Sequence, residues 1–504
     1  MAAEIEVKLG AWPGFEVPPL DGAIEGLTAE PHEPRELDAT YHDAADLRLI
    51  RAGISLRHRD GEGGPAGAWT LKLPDEGGGP ADALVREELV VPGPAATVPA
   101  DLAALVRPWL RTAPLVPVAH LHTRRQSSAL VLEAEQVGSI DDDEVSVLQN
   151  GRVAARFREV EVEVAESAPA GLVDAVVDRL RAAGAGAPDP TPKLVRALGP
   201  RALQPPDLTV AELGRHATAV EVISAGIANA VLRIVEHDRV IRADDDPEGI
   251  HQARVGTRRL RSDLRTFGPL LDTSWSEPLR EELKWLASEL GEVRDRDVLA
   301  GRLRAQVATL DAEDDRVAAA GVLVKLDRER SRAVARAIAA LDSRRYLALL
   351  DRLVDATRAP RTLPEADVPV RAVLPALAGT AFHTLRKGVK KLGKRPADDE
   401  LHRLRIKAKK ARYAADVAVP VIGDQARAYT KAVGALQDVL GDHHDCAVAA
   451  DWLRAAVPGA TRAQAFALGL LVAGQQHQAD ELRRSWRSAW DDLDRSKLTS
   501  WLDG

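Results

Sequence analysis

The first two hundred residues alternate between apolar and charged positions, and the remainder repeats at helical spacing. Glu4-Ile5-Glu6-Val7-Lys8-Leu9 puts Ile5, Val7 and Leu9 on one side of a strand and charges on the other. Ile54 to Arg59, Trp69 to Leu73, Val85 to Val91 and Arg158 to Val164 follow the same rule, and turn clusters such as Gly61 to Gly67 and Gly77 to Pro80 separate them. Short strands punctuated this way predict an antiparallel sheet or barrel, with helical stretches such as Gly171 to Ala183 between them. Beyond the Pro-containing stretch Gly199 to Asp207, apolar residues recur every three or four positions. That spacing predicts helices over about 215–240, 247–271, 276–308, 315–341, 343–357, 368–392, 398–419, 424–455 and 461–498. The expected class is α+β with two domains. An N-terminal antiparallel β-barrel or tunnel with flanking helices spans 1–200, 201–209 is a linker, and an all-α duplicated bundle spans 210–504.

The helical part repeats itself. His251, Arg254, Arg258, Arg259 and Arg261 recur 151 residues later as His402, Arg405, Lys409, Lys410 and Arg412. Leu290-Gly291-Glu292-Val293-Arg294-Asp295 recurs 150 residues later as Leu440-Gly441-Asp442-His443-His444-Asp445. Two separate motifs recurring at nearly the same offset predict a duplicated helical unit, two bundles about a pseudo-twofold axis.

Charge sharpens the division. The net charge is −8, but residues 1–200 hold 32 acids and 19 bases, which leaves 44 acids and 49 bases for 201–504. On a helical wheel Arg254, Arg258, Arg261 and Arg265 fall within about 60° of one another, as do Arg405, Lys409 and Arg412. Like charges stacked so closely repel, and a polyanion lying along the row relieves that repulsion. Lys387, Lys390, Lys391, Lys394 and Arg395 extend the positive surface. The whole chain has 4 Tyr and 5 Phe, of which Tyr413 and Phe267 lie near the rows, too few for base stacking. A phosphate polymer is therefore favoured over nucleic acid. His251 and His402 have no second ligand at helical i+4, so they are poor metal ligands; they read either as protonatable phosphate donors or as histidines satisfied inside the bundle.

A single cysteine, Cys446, excludes a disulfide framework and a Cys-rich zinc site. The start, Met1 to Glu6, lacks the features of a signal peptide, and no apolar run approaches the ~18 residues of a membrane span. A soluble, cytoplasmic protein is expected.

Residues 210–504, with both histidine-basic helices and both Leu-Gly-x-x-x-Asp segments, resemble a CHAD domain. The resemblance implies two four-helix units around a basic channel for inorganic polyphosphate, lined by His251, Arg254, Arg258, Arg261, His402, Arg405, Lys409 and Arg412. Residues 4–196 resemble a CYTH domain of the triphosphate tunnel metalloenzymes. The series is Glu4, Glu6 and Lys8; Tyr41-His42-Asp43 with Asp46-Leu47-Arg48; Arg57 and Arg59; Lys72; Arg86 and Glu88; Arg124 and Arg125; Asp142; Glu159, Glu161 and Glu163; Lys193 and Arg196. The sequence departs from the family pattern at Pro192, which separates Thr191 from Lys193, and at His42, where an aromatic is common. The implied activity is metal-dependent hydrolysis of inorganic triphosphate to diphosphate and phosphate. Lys8, Arg57, Arg59, Lys72, Arg86, Arg125, Lys193 and Arg196 would grip the substrate. Glu4, Glu6, Asp142, Glu161 and Glu163 would hold Mg²⁺ or Mn²⁺. Glu161 and Glu163 would face the attacking water, and Lys72 completes the catalytic set. The alternatives are a non-catalytic polyphosphate or granule-associated binder, or a triphosphatase for thiamine triphosphate or ATP.

Overall fold

The computed structural model describes residues 4–61, 66–74, 86–165, 168–214 and 216–503, without the side chains of Glu4, Ile5 and Arg86. The chain divides into two compact units, 1–207 and 208–504.

The first unit is built on β1 (Glu4–Ala11), β2 (Leu27–Pro31), β3 (Arg35–Asp43), β4 (Ser55–Asp60), β5 (Ala68–Pro74), β6 (Arg86–Pro92), β7 (Val116–Leu132), β8 (Glu135–Gln149) and β9 (Arg152–Ala165). They pair in the order β1-β9-β8-β7-β3-β4-β5-β6, with β2 alongside β7 and every pairing antiparallel. The result is a curled sheet, a half-barrel. Among the described residues β1 and β6 do not pair, so the predicted cylinder has an open seam.

Alternation decides which face is covered. Helices α1 (Arg48–Arg51), α2 (Ala100–Leu110), α3 (Leu172–Ala182) and α4 (Lys193–Leu198) join the sheet. Val7, Leu9, Val160 and Val162 pack with Leu172, Val176 and Leu180 of α3, while Leu56, Trp69 and Leu71 pack with Leu102 and Val106 of α2. The opposite face keeps the charges, as expected of strands with one aliphatic side. Helix α4 sits on that charged face. Its Leu194 and Val195 pack with Ala39, Tyr41, Leu121 and Val145, which turns Lys193 and Arg196 toward the strand charges.

The second unit comprises α5 (Ala219–Glu236), α6 (Asp238–Ala243), α7 (Pro247–Thr266), α8 (Thr273–Val307), α9 (Glu313–Leu341), α10 (Arg344–Arg358), α11 (Val370–Val389), α12 (Asp398–Asp416), α13 (Val419–Ile422), α14 (Asp424–Ala456) and α15 (Arg462–Leu493). Thr218 with Glu221 caps α5, Asp246 caps α7, and Thr461 with Gln464 caps α15. The duplication is plain in the helix starts. Ala219 and Val370 open α5 and α11, 151 residues apart, and Pro247 and Asp398 open α7 and α12 at the same spacing. Thr273 and Asp424 open α8 and α14, again 151 apart. One core joins α11, α12, α14 and α15 through Phe382, Leu404, Leu436 and Trp486. Another joins both copies, with Leu303 of α8 and Leu323 of α9 against Leu453 of α14 and Leu468 of α15. Among the described residues no helix is long and apolar enough to cross a membrane.

Candidate functional site

The register of β1, β9 and β8 assembles the charged face. Glu6 lies opposite Glu163 and Lys8 opposite Glu161, while Asp141 lies opposite Glu161 and Asp143 opposite Glu159. Directly opposed residues share a face, so six carboxylates and Lys8 stand together. Three further cations enter from other elements. Arg125 on β7 reaches Asp143 at 2.6 and 2.8 Å, Glu161 at 3.0 Å, and Asp141. Lys193 on α4 lies 2.7 Å from Glu161, 2.8 Å from Asp143 and 3.1 Å from Glu159. Arg196 approaches Glu159 at 3.4 Å and Asp189 at 2.8 Å.

Glu161 and Glu163, grouped together from sequence, differ in this setting. Glu161 takes Lys8 at 2.5 Å, Lys193 and Arg125. Burial pushes its carboxyl up, but Lys193, Lys8 and Arg125 hold it well below the usual carboxylate range. Burial opposes the charge of Lys193, yet Glu161, Asp143 and Glu159 keep its ammonium above the ordinary value. Among the described residues no cation lies within ion-pair distance of Glu163. Burial, then repulsion from Glu161, Glu6 and Asp141, pushes it up to about 7. Ligand oxygens of Glu6, Glu161 and Glu163 lie within 4.8 Å of one another. An under-compensated carboxylate in such a trio fits a hard divalent cation, whose charge removes the repulsion.

A second group lies on the same face. Arg57 donates from Nη1 to the Tyr41 hydroxyl at 3.2 Å, and its buried Nε has no hydrogen-bond partner among the described residues. Lys72 lies 2.7 Å from Glu88. Burial raises the Glu88 carboxyl, but Lys72, Arg57 and Arg59 together bring it below its ordinary value.

Asp142 requires a correction. It points to the other face of β8, where Arg158 binds it at 2.6 and 2.8 Å, away from Glu6, Glu161 and Glu163. Its neighbours Asp141 and Asp143 face the cluster instead. Three consecutive aspartates leave the inward position to the register with β9, which sequence alone does not reveal. Glu4 and Arg86 share strands with the site, but their side chains lie outside the described residues.

In the helical unit the two cation rows converge. Lys409 is pushed down to about 8 by burial, then by Arg405, Arg258 and Arg254. Arg258 is lowered by burial and by Arg254, Arg405 and Arg412, and its guanidinium lies 5.4 Å from the Tyr413 ring. Among the described residues the buried Nε atoms of Arg258, Arg405 and Arg412 have no hydrogen-bond partner. Such crowding costs stability unless an anion offsets it. Arg261 departs from this group, because its charge acts with Arg265 and Arg280 on Lys410.

The second repeated motif supports the rows. Asp295 pairs with Arg254 at 2.6 Å, and Asp445 approaches Arg405 at 3.9 Å. Gly291 and Gly441 face these guanidinium groups, and an added Cβ would make only ordinary contact, 3.6 Å from Arg254 Cζ and 3.7 Å from Arg405 Nε. His402 Nδ1 lies 3.1 Å from His444 Nδ1, a partner supplied by α14 and invisible in the spacing along α12. Position 444 corresponds to Arg294 in the first copy, and there Arg294, after burial, lowers the pKa of His251.

Residues 2–191 match the CYTH domain and residues 225–454 the CHAD domain. Two uncharacterized proteins of Mycobacterium tuberculosis, from strains CDC 1551 / Oshkosh and ATCC 25618 / H37Rv, are each 30% identical over 527 residues, covering 98% of this chain and 96% of theirs. Among solved structures, PptA from Streptomyces chartreusis is 26% identical over 54% of this chain and 99% of its own, with a TM-score of 0.48. The CHAD domain from the plant Ricinus communis is 25% identical over 57% of this chain and 95% of its own, with a TM-score of 0.47.

Proposed function

The chain belongs to the CYTH and CHAD domain families, and from that premise we propose that it hydrolyses inorganic triphosphate in the first unit and binds inorganic polyphosphate in the second. CYTH domains form a metal-dependent superfamily of triphosphate-acting enzymes. The observation that carries the finer reading is the single sheet face on which Lys8, Arg57, Lys72 and Arg125, joined by Lys193 of α4, stand with a carboxylate trio whose Glu163 has no cation within ion-pair distance among the described residues.

A linear triphosphate matches cations spread along such a face, and Arg57, Arg59, Lys72, Lys8, Arg125, Lys193 and Arg196 bind its oxygens. Glu88 and Tyr41 orient Lys72 and Arg57 for that contact. Glu6, Glu161 and Glu163 would hold Mg²⁺ or Mn²⁺, which would neutralise charge on the phosphate oxygens. Glu163 orients the attacking water and takes its proton. The new P–O bond forms at a terminal phosphorus as the bridging P–O bond breaks, releasing diphosphate. Glu161 stays ionised and fixes Lys8, Arg125 and Lys193 in place.

The test is phosphate release by the purified chain with Mg²⁺ or Mn²⁺ from tripolyphosphate, longer polyphosphate, ATP and thiamine triphosphate. Tripolyphosphate should be turned over fastest. Lys72→Ala should lower its turnover at least a hundredfold with an unchanged circular dichroism spectrum. An inactive wild type across both metals and several pH values would defeat the proposal.

The helical unit makes a separate prediction. Lys409 must carry its charge to hold an anion, so polyphosphate affinity should fall as pH rises through about 8. Lys409→Arg, which keeps its proton, should flatten that fall. Identical pH profiles for the wild type and Lys409→Arg would remove Lys409 from the site.

A further inference from the structure

A cavity of about 110 Å³ lies in the helical unit where α5, α7 and the segment after α12 meet. Its walls are mostly apolar, from Val222 and Ile223 of α5, Leu264 and Phe267 at the end of α7, and Val417. Asp263, Asp416 and Arg259 supply its charge. Arg259 Nε lies 3.1 Å from each Asp263 oxygen, and its Nη1 lies 3.5 Å from Asp416. Arg412 is 4.0 Å from Asp416, beyond hydrogen-bond reach. Arg259 thus serves both carboxylates; Arg412 and Thr430 also favour the charged form of Asp416, but neither acid receives a well-aligned bidentate pair.

Both acids show the deficit. Burial, outweighing Arg259, lifts Asp263 to about 6, and Asp416 is raised mainly by burial as well. Gly226 leaves the wall open before Asp263, since an added Cβ would stand 3.7 Å from Oδ2. A ligand whose shape matches these apolar walls gains dispersion contacts along them. The carboxylates repel an anion, and a neutral occupant leaves them sharing the Arg259 guanidinium.

We propose that this cavity binds a small branched aliphatic amine, with its alkyl part on the apolar walls and its ammonium between Asp263 and Asp416. Because an apolar cavity of ~150 Å³ holds benzene, this one suits roughly five heavy atoms, and isobutylammonium is the matched probe. The proposal does not rest on the triphosphate or polyphosphate readings, although Asp416 adjoins Arg412 of the second row.

Titration calorimetry of the full chain with isobutylammonium and with neutral isobutanol tests it. Isobutylammonium should bind saturably and at least tenfold more tightly than isobutanol. Asp263→Asn, checked for folding by its melting curve, should erase the preference, and Asp416→Asn should weaken it independently. Gly226→Val, which fills the space, should abolish binding of both probes. No saturable binding, equal affinities in the wild type, or undiminished binding in Gly226→Val would each overturn the assignment.

Discussion

Glu163→Gln should make the metal-free protein more heat-stable while lowering phosphate release at least a hundredfold. The stability gain follows from the surroundings of the carboxyl group, where Glu161, Glu6 and Asp141 all repel a charge that burial already disfavours. Its folded pKa of about 7 stands above the ordinary 4.5, so this group contributes stability at low pH that is lost as pH rises through 7. Glutamine keeps the shape and never ionises. The advantage of the variant should therefore be absent below pH 4.5, grow between 4.5 and 7, and be complete above. Each kcal/mol of relieved repulsion moves the melting temperature by about 2–4 °C in a unit of this size. Saturating Mg²⁺ should stabilise the wild type more than the variant and close the gap. The activity loss follows because glutamine cannot take a proton from water, a role worth roughly 10²- to 10⁴-fold. Equal melting temperatures at pH 8 in chelator, or turnover within threefold of wild type, would contradict the assignment.

The second large effect belongs to the converged rows. Replacing Arg254, Arg258, Arg405 and Lys409 together with alanine should weaken long-chain polyphosphate binding at least a hundredfold. Four fewer charges should also reduce the slope of log affinity against log salt by about three, if each contact releases counterions as phosphate contacts do in nucleic acids. The same change should not unfold the bundle. Lys409 is pushed down by Arg405, Arg258 and Arg254, which marks their mutual repulsion as a cost to the free protein. Filter binding at several salt concentrations, with a melting curve for each protein, reads both effects. Affinity within threefold of wild type would show that the rows merely face solvent.

Much of the helical unit was legible because its information is periodic. The predicted 247–271 and 424–455 helices correspond to Pro247–Thr266 and Asp424–Ala456, with ends set by caps and by the turn after Phe267. The sheet was harder. Strands β7 and β8 show no apolar alternation at their centres, because Arg124-Arg125-Gln126-Ser127-Ser128 and Asp141-Asp142-Asp143-Glu144 are polar on both faces. Such segments are strands because neighbouring strands and ion pairs satisfy them, as Arg125 with Asp143 and Arg158 with Asp142 do. The same cause misplaced Asp142 and hid Asp141 and Asp143. The different settings of Glu161 and Glu163 depend on α4 delivering Lys193, a contact across more than thirty residues that no local pattern encodes. The repeated aspartates Asp295 and Asp445 were visible as a motif, but their guanidinium partners lie on other helices.

The core shared by the two copies bears on how the chain is made. Leu303 and Leu323 are buried against Leu453 and Leu468, which leave the ribosome some 150 residues later. At roughly 5–20 residues per second, the ends of α8 and α9 wait about 8–30 s for the surface that covers them. During synthesis that exposed leucine surface is a natural target for chaperones and for mispairing between nascent chains. A ribosome stalled near residue 400 should therefore hold a first copy that proteases cut readily.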